Sequence, residues 1–157
     1  MAAREPVGPV ELDEIDKAII THLQVDGRMP YSRLAPAVGL SQAAVRQRVQ
    51  RLMDKGVMQV VAVTDPTVLG FPVQAMIGVD VDGDARAAAA ALADLDVVEY
   101  VVVTAGRYDI MCEVVCVDMA HLLDVVNDRI RPVPGVRSTE ILTYLSLVKQ
   151  TYAWGTR

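Results

Sequence analysis

Apolar residues recur along the chain with two different periods, and the switch between them divides it. From residue 11 to residue 25, Leu12, Ile15, Ile19 and Leu23 fall near one face of a helical repeat, with Glu11, Asp13, Glu14 and Asp16 in the first turns, where carboxylates complement the helix dipole. A first helix over 11–25 is predicted. Asp26-Gly27-Arg28 supplies turn chemistry, and Leu34, Ala35 and Val38 mark a short second helix over 31–38 that ends at Gly39. With Ser32 as its N-cap, Pro36 becomes an early helical residue whose missing N–H forfeits only the bond back to Ser32. Ser41 is then a strong N-cap, Val45, Val49 and Leu52 share one face of residues 42–55, and Gly56 is the stop. Val57–Val63 is a β-branched run that predicts a strand leaving this unit, and Thr64-Asp65-Pro66-Thr67 with Leu69-Gly70 marks a linker.

Beyond the linker the spacing becomes that of strands. Residues 71–81, 97–104, 109–117 and 136–148 are rich in Val, Ile and Thr and bounded by Gly, Pro or Asp, while 84–95 and 118–130 have helical character, capped by Asp84 and Asp118. The order β-α-β-β-α-β predicts a ferredoxin-like domain, an antiparallel sheet with both helices on one face. In 109–117, Ile110, Cys112, Val114 and Cys116 face one way and Met111, Val115 and Val117 the other, beside Glu113. Residues 97–104 likewise set Val97, Val101 and Val103 opposite Val98, Tyr100 and Val102. A sheet with helices on one side and water on the other should alternate apolar with polar, so the second apolar face predicts a dimer packed sheet on sheet. Cover by the C-terminal residues or the linker is the alternative.

Composition narrows the classes. The 157 residues are 52% hydrophobic, with one Phe and one Trp, which predicts a globular chain whose core is aliphatic. No apolar run reaches the roughly 18 residues of a membrane span. Met1-Ala2-Ala3-Arg4-Glu5-Pro6 leads into no apolar signal core, so a cytoplasmic protein is expected. Cys112 and Cys116 have no second Cys or His pair near them, which predicts reduced packing residues and no metal site. His22 and His121 lie in separate elements, with no nucleophile or paired carboxylate in a common loop, so neither an enzyme nor a cofactor is expected.

A net charge of −5 argues against nucleic acid until it is divided. Residues 1–60 carry 8 Lys and Arg against 7 Asp and Glu, whereas 61–157 carry 7 against 13. Within 41–55, Arg46, Arg48, Arg51 and Lys55 face Asp54 alone. The side of this helix opposite its apolar stripe carries Ala43, Arg46, Gln47, Gln50 and Arg51, with Arg48 on the flank nearer the core. Gln can bond bidentately to adenine, Arg to guanine or phosphate, and a small Ala lets a helix approach the groove floor. Composition alone favours a solvated face. A short helix, a tight turn and an N-capped second helix together form the helix-turn-helix arrangement, which favours DNA.

Leu12-Asp13-Glu14-Ile15-Asp16, Leu23-Gln24-Val25-Asp26-Gly27-Arg28, Val38-Gly39-Leu40-Ser41, Val45 to Leu52 ending at Gly56-Val57, and Gly106-Arg107-Tyr108-Asp109 stand in an order and spacing that covers roughly 11–150. Together they resemble the leucine-responsive/asparagine regulator (Lrp/AsnC) family of transcription regulators. The resemblance implies an α+β chain with an N-terminal winged helix-turn-helix domain over 1–63, a linker over 64–70 and a ferredoxin-like (RAM-type) effector-binding and assembly domain over 71–157. Its implied partners are double-stranded DNA, a second copy in a homodimer that assembles further to an octamer, and a small effector, typically an amino acid, bound between subunits. The expected DNA-binding residues are Ser41, Gln42, Ala43, Arg46, Gln47, Arg48, Gln50 and Arg51.

Thr104-Ala105-Gly106-Arg107-Tyr108-Asp109 joins two strands, and a glycine-containing turn can present backbone N–H groups to a carboxylate while Asp109 meets an ammonium. The same residues fit an ordinary hairpin loop in which Asp109 caps the backbone. The resemblance implies an effector site with Thr104, Gly106, Arg107, Tyr108 and Asp109 on one wall and Ser138, Thr139 and Glu140 on the other. The competing function is a DNA-architectural or stand-alone amino-acid-binding protein without discrete operators.

Overall fold

The computed structural model describes residues 10–151 and 155–156; the Met1–Pro6 segment lies outside them. The chain divides into two compact units, the first containing the described residues 10–63 and the second residues 64–148.

In the first unit, α1 spans Glu14–Val25, α2 Tyr31–Ala37 and α3 Gln42–Asp54. Asp13 is the N-cap of α1, accepting from the Asp16 N–H at 2.7 Å, so Glu11 and Leu12 precede the helix. The start of α2 differs from the expected Ser32 cap. Pro30, at φ −66°, takes the N-cap position, and its carbonyl accepts from Arg33 and Leu34 at 2.8 and 3.0 Å, so Tyr31 is the first helical residue. The Ser41 hydroxyl caps α3 by accepting from the Ala44 N–H at 3.2 Å. At its other end Gly56, at φ +66°, turns the chain so that the Val57 N–H reaches the Leu52 carbonyl at 2.9 Å. Ile19, Leu34, Val45, Val49 and Leu52 are buried together, with Leu12, Ile15 and Leu23 packed around them.

Val57–Val63 is not a strand, contrary to its β-branched composition. Val60, Val61 and Val63 are exposed. Strand propensity is expressed through pairing, and these residues have no ladder partner among the described residues.

In the second unit, β1 (Val73–Val81), α4 (Ala85–Ala93), β2 (Val98–Val103), β3 (Ile110–Cys116), α5 (Met119–Asp124, continued by a π-helical stretch Val125–Ile130) and β4 (Val136–Thr143) follow in order. The sheet has four strands in the order β2-β3-β1-β4, each neighbouring pair antiparallel, which is the ferredoxin-like arrangement. Asp84 and Asp118 cap α4 and α5 by accepting from the Arg86 and His121 N–H groups. Ala75, Ile77 and Val79 of β1 and Ile110, Cys112, Val114 and Cys116 of β3 meet Ala88, Leu92, Leu122, Val126 and Ile130 in one core. Both thiols are reduced and buried, and burial pushes that of Cys112 up to about 11.

Two local departures matter. A register shift between Val98 and Tyr100 pairs Val98 with Val114 and Tyr100 with Glu113, so Val98 joins the helix-side core with Val101, where uniform alternation set the two on opposite faces. The last strand ends at Thr143, short of the expected 148; the Tyr144 N–H still reaches the Gln74 carbonyl at 2.9 Å, but Leu145 and Val148 are exposed. Among the described residues no helix is long and apolar enough to cross a membrane.

Candidate nucleic-acid interface and sensing site

The apolar stripe of α3 fixes which residues it shows outward. With Val45, Val49 and Leu52 turned into the core, Gln42, Ala43, Arg46, Gln47 and Gln50 form an exposed row beginning at the capping Ser41. The Arg46 guanidinium lies 6.0 Å from the centre of the Tyr31 ring, at the start of α2, a cation–π distance. The Gln50 amide donates to the Asp54 carboxylate at 2.7 Å, one turn along the same helix.

Arg48 and Arg51, both expected from the sequence to meet DNA, are bonded to the start of α1. Arg48 Nη1 donates to Asp13 Oδ2 at 2.6 Å and to Asp16 Oδ1 at 2.8 Å, and Arg51 Nη2 donates to both Asp16 oxygens at 2.8 and 2.7 Å. Asp16 is only 2% exposed, so these charge-assisted bonds replace its hydration. The Arg48 hydrogen bond, followed by the Asp16 N–H, holds the Asp13 carboxyl below its ordinary range; the bond to Asp13 and then that to Asp16 raise Arg48. The sequence reading missed this clasp, although two signals pointed to it. Asp13 and Asp16 stand one turn apart at the start of α1, and Arg48 lies on the core flank of α3.

The loop between β2 and β3 carries the expected sensing residues. Asp109 Oδ2 accepts from the Val81 N–H at 2.8 Å while its own N–H reaches the Val79 carbonyl, and Thr104 bonds to Asp109 and Tyr108 carbonyls through its N–H and hydroxyl. Asp109 thus ties the loop to β1 and Thr104 closes it on itself, as in an ordinary hairpin. Gly106 has no positive φ, and a Cβ there would meet nothing within 4 Å, so neither backbone nor packing demands glycine.

Arg107, Tyr108 and Glu140 do come together. Arg107 Nη2 donates to Glu140 Oε2 at 2.5 Å, its guanidinium sits 5.2 Å from the centre of the Tyr108 ring, and a hydrogen bond to Glu140 raises the Tyr108 hydroxyl pKa. The ring lies flat against Gly78 of β1, where an added Cβ would stand 2.7 Å from its nearest atom. Ser138 reaches the same side of the sheet and donates to Asp80 Oδ2 at 2.6 Å. Thr139 does not, because strand alternation pairs it with Val79 and turns it to the helix side, where its hydroxyl accepts from Arg131 Nε at 3.0 Å. The expected wall of Ser138, Thr139 and Glu140 is therefore split between the two faces of β4.

Residues 12–53 match the AsnC-type helix-turn-helix domain, and residues 72–157 match an AsnC-type C-terminal dimeric alpha+beta barrel domain. The chain belongs to the Lrp/AsnC family of transcriptional regulators. An uncharacterised HTH-type transcriptional regulator of Pyrococcus furiosus is 33% identical over 144 residues, covering 90% of this chain and 97% of its own. The structure of Escherichia coli AsnC superposes with a TM-score of 0.79 at 28% identity, over 90% of this chain and 97% of that one. A transcriptional regulator of Neisseria meningitidis, solved as its L-Met complex, superposes with a TM-score of 0.80 at 27% identity, over 90% and 95% of the two chains. As an Lrp/AsnC member the chain is a DNA-binding regulator of transcription and not an enzyme.

Proposed function

We propose that this Lrp/AsnC regulator recognises discrete operators with the outer row of α3, and that a small amino acid modulates its assembly and DNA affinity. The observation that carries the DNA reading is the exposed row Gln42, Ala43, Arg46, Gln47 and Gln50 on a helix capped by Ser41, inside the matched helix-turn-helix domain. Gln47 and Gln50 discriminate bases, and Arg46 contacts phosphate or guanine.

A sheet-on-sheet homodimer brings two such helices to one duplex. Its support is the side of the sheet turned away from the helices, where Met76, Val102, Met111, Val115 and Leu142 lie together, and the dimeric character of the matched domain. Further association of dimers to an octamer multiplies weak contacts.

For the effector, the cluster of Arg107, Tyr108 and Glu140 offers a guanidinium for an α-carboxylate and a carboxylate for an α-ammonium, two charges that answer each other in the free protein. The L-Met complex of the Neisseria meningitidis neighbour supports an amino acid as the class. Effector binding that favours one assembly must, by linkage, be altered by DNA in return. A thermal-shift screen of the amino acids, with and without DNA, tests this. One amino acid raises the melting temperature, and DNA changes its apparent affinity. Binding that alters neither assembly nor DNA affinity refutes the coupling.

A further inference from the structure

Of the three arginines within α3, the structure pairs two with aspartates at the start of α1 and leaves Arg46 outside that pairing. Arg48 and Arg51 each meet an aspartate of the α1 start, so that two carboxylates, Asp13 and Asp16, stand against two guanidiniums. Arg51 is 46% exposed, enough to reach solvent, yet both Asp16 oxygens engage its Nη2. Asp16 is held under the α1–α3 contact and can release neither arginine without being left buried and short of a partner.

This arrangement has two effects. It sets the rotation of α3 against α1, because one buried carboxylate takes bonds from residues 48 and 51, neighbours across a helical turn. It also pairs two of the cations of α3 with carboxylates at the start of α1. Affinity for random sequence is essentially the counterion-release contribution of cations on phosphates, so withholding cations lowers non-specific binding while leaving base contacts in place.

We propose that Asp16, assisted by Asp13, is a positioning residue for operator selection: it holds Arg48 and Arg51 off the phosphate backbone, so that Arg46 and not the full arginine set of α3 determines its grip on random-sequence DNA. The proposal rests on the reading of α3 as the DNA-facing helix, and its test separates the two. Binding of the full-length protein to a labelled random-sequence duplex is measured over a potassium chloride series for wild type, Arg46→Met, Arg51→Met and Asp16→Asn, with circular dichroism confirming folding. Arg46→Met flattens the dependence of log K on log salt by about 0.9 for each phosphate it ceases to neutralise, whereas Arg51→Met leaves it unchanged. Asp16→Asn, which frees positive charge, steepens it and tightens random-sequence binding several-fold. If Arg51→Met flattens the slope as Arg46→Met does, Arg51 touches phosphate and the clasp proposal is overturned. If neither arginine variant changes the slope, the DNA-facing assignment of α3 falls, and the proposal with it. Should Asp16→Asn fail to fold, the comparison of the two arginine variants still decides.

Discussion

Asp16 enters the sequence as one of several acidic residues at a helix start, where its charge complements the dipole. The structure gives it more specific work: it is buried and bonded to two arginines from α3. Replacing it by Ala removes hydrogen bonds to charged groups and lowers the stability of the first unit by about 1.5–3 kcal/mol, read by urea denaturation. Asp13, at the exposed edge of the same clasp, predicts a pH dependence. Its folded pKa lies below the ordinary 3.8, so as pH falls below that value the unfolded chain takes up the proton first. The contribution of Asp13 is complete above 3.8 and disappears as pH drops through the lowered folded value. Denaturation midpoints of wild type and Asp13→Asn therefore converge at acid pH and separate above it; a constant difference would exclude the linkage. Gly78 is a third case in which one residue decides a site. An Ala there puts its Cβ into the Tyr108 ring, so Gly78→Ala displaces Tyr108 and costs about 1–3 kcal/mol in the second unit, visible as a lowered melting temperature. Each of these contacts joins residues far apart in sequence, so a local pattern shows one partner at a time and not the pairing.

Elements were more legible than contacts, and the difference is physical. Helix caps are local chemistry, so Ser41, Asp84, Asp118 and Gly56 announce their helix ends from neighbouring residues alone. Strand pairing is not local. Val57–Val63 has strand composition but no partner strand among the described residues, and the register shift after Val98 cannot be read from alternation, since it depends on how β2 meets β3. The same limit explains the split of Ser138 and Glu140 from Thr139, which follows from the pairing of β4 with β1. At this scale the β2–β3 loop separates two roles. Asp109→Ala breaks the bond that ties the loop to the Val81 N–H and lowers stability by about 1–3 kcal/mol. Arg107→Ala removes an exposed ion pair and costs less than about 1 kcal/mol, yet abolishes effector binding in calorimetry. Retained effector binding in Arg107→Ala would remove the cluster from the sensing role.

For the whole molecule, the charge asymmetry seen in the sequence becomes a division of labour with a refinement. Two of the three arginines of α3 are paired with carboxylates at the start of α1, which lowers the positive charge the helix offers to phosphate. On the proposed reading, dimerisation adds the phosphate contacts that one protomer lacks. Met111→Glu, on the sheet side turned away from the helices, should shift sedimentation from dimer to monomer and weaken DNA binding in proportion; a monomer that binds as well as wild type would contradict this.

The most direct measurement is selection of bound duplexes from a random pool by the full-length protein, with Gln47→Ala run in parallel. Recognition by α3 leads to enrichment of a two-fold symmetric sequence whose half-sites lie about one helical turn, or a multiple of it, apart, with base preference relaxed in the variant. A pool that stays random after repeated rounds, with wild type and variant alike, would contradict recognition by α3 and leave a protein that coats DNA without reading it.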